Sequence, residues 1–270
     1  WAGTWRGGLN RFDQTSKQFT SFKNEPGVPS SLSDSNLFTV IVDLSDTVWA
    51  GSLNGLNRFN RTDKTFKRYL PNSADPSSIG NHEIWTLHEG KNNVLWIGTR
   101  KGINRYDSQS DSFVQFPPRE GEPGGMKNSW ISAIHDDSKG RIWLGTHGAG
   151  LHLFTPETNT YRSINEKQGL ADNVVCGILE DDEGQLWIST YNGLSRYNPE
   201  TETIRNFRES NGLPDGQFNR FSAQIKLSDG NLMFGSTKGF IWFKPSEIVE
   251  NPDPPTVLIT GLHLFGNRIL

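Results

Sequence analysis

Cysteine is almost absent from this 270-residue chain. The single thiol, Cys176, cannot form an internal disulfide, and no Cys/His cluster has zinc-ligand spacing. No apolar run approaches the length of a membrane-crossing helix. No leader peptide is read at the start, which falls in the middle of a repeat, so the chain is expected to be a fragment. An excess of one charge is also missing. Lys and Arg total 27 against 30 Asp and Glu, a net charge of −3, with no basic block that would neutralise a phosphate backbone. Nucleic acid is therefore not an expected partner. His82, His88, His135, His147, His152 and His263 show neither HExxH nor paired spacing. No Gly-x-Ser-x-Gly, P-loop or dinucleotide fingerprint occurs, so no cofactor, metal or catalytic residue is assigned. A helical period is absent throughout.

What the chain has is glycine, at 28 residues, and aromatics, including nine Trp and 16 Phe. They fall in a phrase that recurs: VWAGSLNGLNRFN (48–60), LWIGTRKGINRYD (95–107), IWLGTHGAGLHLF (142–154) and LWISTYNGLSRYN (186–198). The chain opens inside another copy, and LMFGSTKGFIWFK (232–244) is a worn one. Anchored at Trp1, Trp49, Trp96, Trp143, Trp187 and Met233, the copies are spaced by 48, 47, 47, 44 and 46 residues. A period in the forties marks a repeat architecture.

Within one period, residues 81–116 read as four short strands. NHEIWTLHE, VLWIGT, INRYD and SFVQF are separated by turns of Gly, Asn, Asp and Ser. Four strands per unit predict an all-β fold, a β-propeller of four-stranded blades. Six blades are recognisable. The first lacks its inner strand and the last its outer one. Propellers of this repeat size often have seven blades, so a blade or more is expected to be missing. The Trp column is expected to fill the wedge between blades. The Gly two residues later (Gly3, Gly51, Gly98, Gly145, Gly235, with Ser189 as exception) is expected to let adjacent sheets approach. The small column Thr39, Thr86, Ala133, Gly177 and Ala223 is expected to crowd around the axis. The acidic turns 135–141, 180–185 and 227–231 lack the full ligand set of a calcium loop and read as hairpin turns.

The pattern [LIV]-W-[ILA]-G-T-x-x-G-[LI]-x-R-[FY] resembles the two-component regulator propeller repeat, and the resemblance covers nearly the whole chain. It implies a propeller over 1–244. A Pro-rich junction follows at 245–255. Residues 256–270 are then the first strand of an immunoglobulin-like β-sandwich, or a closing strand. It further implies the periplasmic sensor region of a bacterial hybrid histidine kinase or related membrane receptor. Such a sensor takes a small-molecule or oligosaccharide ligand, often a carbohydrate fragment. It relays to its own downstream Ig-like and signalling modules, a kinase or a cyclase. Homodimerisation through the propeller belongs to the same expectation.

Propeller ligands sit at one end of the axis. There the turns between second and third strands carry Trp5, Arg6, Asn54, Arg100, Lys101, His147, Tyr191, Asn192 and Lys238. These positions vary while the frame repeats, which suits stacking on sugar rings and bonding of hydroxyls or carboxylates; for any one of them an ordinary solvated turn residue is the bland alternative. The loops 23–35, 70–82 and 117–129 are long and rich in Pro, Ser and Gly, and 165–172 and 208–217 reach the same end. They are recognition loops or tolerated insertions. Trp85 and Trp130 near that end read as core before ligand platform. Two other functions stay open. One is a propeller-based lyase or hydrolase, as in streptogramin-inactivating lyases, with His147 and Glu180 or Asp181 as its only nominees, the two carboxylates being expected in a turn at the other end. The other is a pure protein-interaction platform.

Overall fold

The structure is a computed structural model. It describes residues 1–127, 130–213, 217–220, 223–248, 263–264 and 267–268. Apart from a C-terminal hairpin, the described strands form six antiparallel sheets in chain order. Blade 1 is β1 (Ala2–Thr4), β2 (Gly8–Phe12) and β3 (Phe19–Phe22). Blade 2 is β4 (Leu37–Val42), β5 (Val48–Ser52), β6 (Gly55–Asn60) and β7 (Thr65–Tyr69). Blade 3 is β8 (Ile84–Glu89), β9 (Leu95–Thr99), β10 (Gly102–Asp107) and β11 (Ser112–Phe116). Blade 4 is β12 (Ile131–Asp136), β13 (Ile142–Thr146), β14 (Leu151–Thr155) and β15 (Thr160–Ile164). Blade 5 is β16 (Val175–Glu180), β17 (Leu186–Thr190), β18 (Gly193–Asn198) and β19 (Thr203–Phe207). Blade 6 is β20 (Gln224–Lys226), β21 (Leu232–Ser236) and β22 (Gly239–Phe243). A hairpin of β23 (His263–Leu264) and β24 (Asn267–Arg268) follows. The rest of the expected sandwich strand and most of the Pro-rich junction lie outside the described residues. Inner strands pack in series, β4 on β8, β8 on β12, β12 on β16 and β16 on β20. Among the described residues no comparable packing joins the sixth sheet to the first.

Each blade is a meander, so its two faces need covering from both sides, and the core is correspondingly a set of wedges between neighbours. Trp49 of blade 2 meets Tyr106 of blade 3 at 4.9 Å, and Trp96 meets Phe154 of blade 4 at 6.1 Å. Trp143 meets Tyr197 at 5.7 Å and Trp187 meets Phe243 at 4.8 Å. These four indoles are 0 to 5% exposed, as the wedge reading requires.

The Gly column sits beneath the next blade. A Cβ on Gly51 would fall 2.6 Å from Ile84 Cγ2 of blade 3 and equally close to Thr39 Cγ2. The small column is small for this reason as well. Thr39, Thr86 and Ala133 are register partners of Gly51, Gly98 and Gly145, and they share with them the crowded seam against the next blade. The turn glycine ahead of each third strand takes the left-handed region, as at Gly102 (φ 95°), where a Cβ would meet Phe116 O at 2.4 Å.

Two side-chain columns hold the turns. Hydroxyls of Ser52, Thr99, Thr146 and Thr190 donate to the carbonyls of Gly55, Gly102, Gly150 and Gly193 at 2.8–2.9 Å. In the acidic turns, Asp43, Asp137 and Asp181 accept from the indole Nε1 of Trp49, Trp143 and Trp187. These carboxylates are structural acceptors six residues ahead of the Trp. Blade 3 has Gly90 there and blade 6 has Leu227.

The long loops are pinned from the third strand. Asn57 Oδ1 accepts from Ser33 N–H and Asn104 Oδ1 from Gly80 N–H, both at 2.8 Å, and Ser195 Oγ accepts from Ala171 N–H at 3.0 Å. Arg68 adds bonds to the carbonyls of Val28, Ser31 and Leu32. Blade 6 has Ile241 at this position. Its Phe240 is 62% exposed where Leu56, Ile103, Leu151 and Leu194 are buried.

Candidate functional site

The inner strands carry a device that the alternation of side chains does not reveal. In blades 2 to 5 the pairing of first and second strands skips one residue, between Leu37 and Thr39, Ile84 and Thr86, Ile131 and Ala133, and Val175 and Gly177. The skipped residues, Phe38, Trp85, Ser132 and Cys176, oppose no partner in the ladder. A bulge of this kind re-aims its side chain. In blade 6, Phe218 bridges Ser236 and Gly235 N–H donates to Ala223 O. Four residues of sequence separate Phe218 from Ala223 instead of one, and Arg220 is among them.

These residues and the turns beside them form a continuous arc at one end of the axis. Trp5 leans on Phe38 at 5.6 Å, and Phe38 stacks on Trp85 at 4.5 Å with 6° between planes. Trp85 stacks on Trp130 at 5.0 Å, Trp130 meets His147 at 5.1 Å, and His147 meets the edge of Tyr191 at 5.9 Å. The Arg100 guanidinium lies 4.5 Å from the centre of Trp130 and that of Arg220 lies 5.8 Å from the centre of Tyr191. Six rings from five blades thus touch in sequence. Phe38, Trp85 and Trp130 are half-buried and turn their faces toward one another, so their role is cohesion between blades. Trp5, at the start of the arc, is 58% exposed.

Polar chemistry concentrates at the far end of the arc. Arg220 Nη1 lies 3.0 Å from His147 Nε2. A guanidinium only donates, so Nε2 accepts and the imidazole proton resides on Nδ1. Burial, and then the charge of Arg220, hold the His147 pKa below its usual value, so the ring is neutral at pH 7. Ser132 Oγ donates to Val175 O at 2.6 Å. Trp85, Trp130, Ile131, Ser132, His147 and Arg220 enclose a cavity of about 10 Å³. Cys176 is fully buried, its thiol donating to Phe218 O at 3.3 Å, and burial pushes its pKa up to about 12. It is not an activated nucleophile.

The other turn residues sit at the same end in simpler roles. Arg100 Nη1 pairs with Glu83 Oε1 at 2.9 Å. Arg6 takes φ 64° and its N–H donates to Asn36 Oδ1. Asn54, Lys101 and Asn192 donate their backbone N–H to the hydroxyls of Ser52, Thr99 and Thr190, and Lys238 does so to Ser236; their side chains are exposed. Phe38, Ser132 and Arg220 were not legible as members of the site. Only the position after the first residue of the inner strand marks Phe38 and Ser132, and the bulge that gives the position meaning is tertiary; Arg220 precedes its inner strand and has no such mark.

His147 does not meet Glu180 or Asp181. His147 follows Thr146, the partner of Ile131 at the start of β12, whereas Glu180 closes β16 at the opposite end of the sheet. Five strand residues separate the two levels, roughly 17 Å. Glu180 accepts from Ser138 N–H and Oγ–H, and Asp181 from Trp187. At that opposite end His88 contacts Asp136, and His135 Nε2 lies 3.9 Å from Glu180. Among the described residues no group of three or more His, Cys, Asp or Glu is placed to hold a metal ion, and no helix is long and apolar enough to cross a membrane.

Comparison with known proteins agrees with this geometry. No curated protein sequence matches the chain. The extracellular domain of the putative hybrid two component system BT3049 from B. thetaiotaomicron superposes with a TM-score of 0.75 at 22% identity. The overlap covers 93% of this chain and 33% of that one. The extracellular domain of the putative one component system BT4673 from the same organism gives 0.66 at 18% identity, over 89% and 40% of the two chains. This chain thus spans between a third and two fifths of those relatives. A virginiamycin B lyase from Staphylococcus aureus, in complex with quinupristin, shares the fold with a TM-score of 0.64 at 16% identity, over 88% and 74%. The family description "Two component regulator propeller" matches residues 78–101, 125–148 and 169–192. Each match runs from the end of a pinned loop through the bulged inner strand to the second-to-third turn, and so takes in Trp85, Arg100, Trp130, His147 and Tyr191. The chain is a β-propeller, and three of its repeats match the two-component regulator propeller description.

Proposed function

We propose that this propeller is the extracytoplasmic ligand-sensing domain of a two-component-type signalling receptor. It binds a saccharide fragment at the axial mouth and relays the binding to a downstream kinase or cyclase. The observation that carries the reading is the arc from Trp5 to Arg220, in which residues from all six blades touch in one line. A ligand on that line contacts several blades at once. It therefore favours one spacing of the blades over another, which is what a sensor needs in order to shift between two states. The extracellular placement of the BT3049 and BT4673 domains supports the same compartment for this chain.

The test is thermal unfolding of the chain against a panel of oligosaccharides. A midpoint that rises with the concentration of one compound supports the reading. No rise with any member moves the function to a protein-interaction propeller. The lyase fold leaves an enzymatic reading in view, but the separation of His147 from Glu180 and Asp181 counts against the acid–base pair that such a reading would use.

A further inference from the structure

We infer that a pocket on the rim of blade 3, beneath the loop 70–82, binds a hydroxyl of a small neutral polyol through the side chain of Asn104. The pocket shares no residue with the arc, so the inference stands apart from the sensing reading.

One position, compared across four blades, carries it. Beyond any bond to the loop, the side chain at the pinning position of the third strand meets a further partner in blades 2, 4 and 5. Asn57 Nδ2 donates to Ser33 Oγ at 2.9 Å and to Ala50 O at 3.2 Å. His152 Nδ1 lies 2.9 Å from Ser163 Oγ, and Ser195 Oγ donates to Asn206 Oδ1 at 2.7 Å. Blade 3 differs. Asn104 Oδ1 accepts from Gly80 N–H, but among the described residues Nδ2 has no hydrogen-bond partner. Asn104 is 1% exposed. An unpaired amide donor at that burial is costly unless a group from outside the chain accepts from it.

Two changes within the repeat produce the difference. Ser33 and Gly80 hold the same place, each donating its N–H to the pinning Asn, and the glycine brings no hydroxyl to receive Nδ2. Arg68 and Gln115 also hold the same place, as the register partners of Asn57 and Asn104. The Arg68 guanidinium fills the space beneath its loop with bonds to Val28, Ser31 and Leu32, whereas Gln115 reaches only Pro76 O and Ser78 O. The outcome is a pocket of about 330 Å³ whose walls include Gly80, Asn104, Gln115, Phe116, Pro117 and Pro118.

The same comparison sets the ligand. In blade 2 the group at this point is a hydroxyl. Ser33 Oγ accepts from Asn57 Nδ2 and donates to Ser52 Oγ, whose own proton goes to Gly55 O. In blade 3 a ligand hydroxyl would accept from Asn104 Nδ2 in its stead. Gln115 Oε1 is the acceptor for its proton: a Cβ on Gly80 would stand 3.2 Å from that oxygen and 3.0 Å from Asn104 Oδ1, so the carbonyls converge on one spot. Both polar groups at the base are neutral amides, which a neutral hydroxyl satisfies without a counter-ion. Phe116, Pro117 and Pro118 offer an apolar wall to the C–H face of a saturated ring. The volume is at the lower end of small-molecule sites and sets the ligand at one ring.

The experiment is an NMR titration of the whole chain with myo-inositol, a fully hydroxylated ring, and with tetrahydropyran, a ring without hydroxyls. The expected result is a saturable shift of the Asn104 side-chain amide and of Gly80 N–H with inositol, in the low millimolar range, and none with tetrahydropyran. The response is expected to vanish in Gly80→Ser, which gives blade 3 the hydroxyl of blade 2. Gln115→Arg, which copies Arg68, closes the pocket by another route and serves if Gly80→Ser does not fold. An equal response to tetrahydropyran overturns hydroxyl recognition. A response that survives both variants overturns the site. Shifts at Trp5, His147 and Tyr191 without Asn104 place the polyol in the arc and overturn it as well. No response of Asn104 to inositol, with or without a long-lived water at its amide, overturns the inference and leaves a structural water only. None of these outcomes bears on oligosaccharide binding at the arc.

Discussion

The indole Nε1 of Trp143 donates to Asp137 Oδ2 at 2.9 Å, and both residues are 0% exposed. The same carboxylate accepts from the N–H groups of Lys139 and Arg141 and pairs with Arg141 Nε at 2.6 Å. One side chain thus closes the turn and orients the wedge Trp. Asp137→Ala strands a buried indole donor and two amides, and is expected to cost about 3 kcal/mol. Asp137→Asn keeps an acceptor and is expected to cost less than half of that. Urea unfolding with the m-value held constant measures both.

His152 is 1% exposed and holds, in blade 4, the position of Asn57 and Asn104. Burial pushes its pKa down to about 4 from 6.5. The folded state refuses a proton that the unfolded chain accepts, so stability is full above about pH 6.5 and falls as pH drops toward 4. The loss is up to about 3 kcal/mol at 1.36 per unit. In His152→Asn that slope is expected to vanish. Unfolding free energies at pH 7, 5.5 and 4 for both proteins decide it; an unchanged slope would assign the loss to another group.

Asp136 acts in the pH range just below. Burial works to raise its pKa, but the contact with His88 and the N–H of Lys91 outweigh it and hold the carboxylate at about 2. Its contribution is present above about pH 4 and is lost as pH falls to 2, roughly 2 kcal/mol. Asp136→Asn is expected to destabilise at pH 7 and to flatten this lowest stretch of the pH–stability curve.

Gly145 lies under blade 5, where a Cβ would stand 2.5 Å from Val175 Cγ1 and 3.0 Å from its Cβ. Gly145→Ala forces two sheets apart and is expected to lower stability by about 1–3 kcal/mol. Gly145→Ala combined with Val175→Ala is expected to recover part of the loss. Strict additivity of the two changes would show that the seam is not where they meet.

Asn57→Ala removes the acceptor of Ser33 N–H and the donor to Ser33 Oγ. Hydrogen exchange is expected to accelerate through residues 23–35 and to stay unchanged at Gly80, which Asn104 holds. The outcome separates a pinned scaffold loop from one that packs by its own contacts. The dense bonding of Arg68 to Val28, Ser31 and Leu32 favours the scaffold role.

The wear of the last repeat becomes intelligible in the same terms. Its Trp is Met233, its turn Asp is Leu227 and its loop-pinning Asn is Ile241. Those three positions form the anchors that hold each wedge and the loop after it, and they change together in the one blade whose Phe240 is 62% exposed. The substitutions are visible in sequence, but their common cause needs the hydrogen bonds that the other blades make.

By itself the sequence determined the period, the four-strand unit, the wedge role of Trp49, Trp96, Trp143 and Trp187, and the turn glycines. Each of these is a local or nearest-neighbour requirement repeated often enough to stand out. Sequence also placed Arg100, His147 and Tyr191 at one end, because they vary inside a fixed frame. Tertiary structure alone decided that Phe38, Trp85 and Ser132 turn into the mouth and that Arg220 joins His147 across two blades. The reason is physical. A bulge shifts register without changing composition, and a contact between residues 73 apart in sequence exists only once the blades have packed.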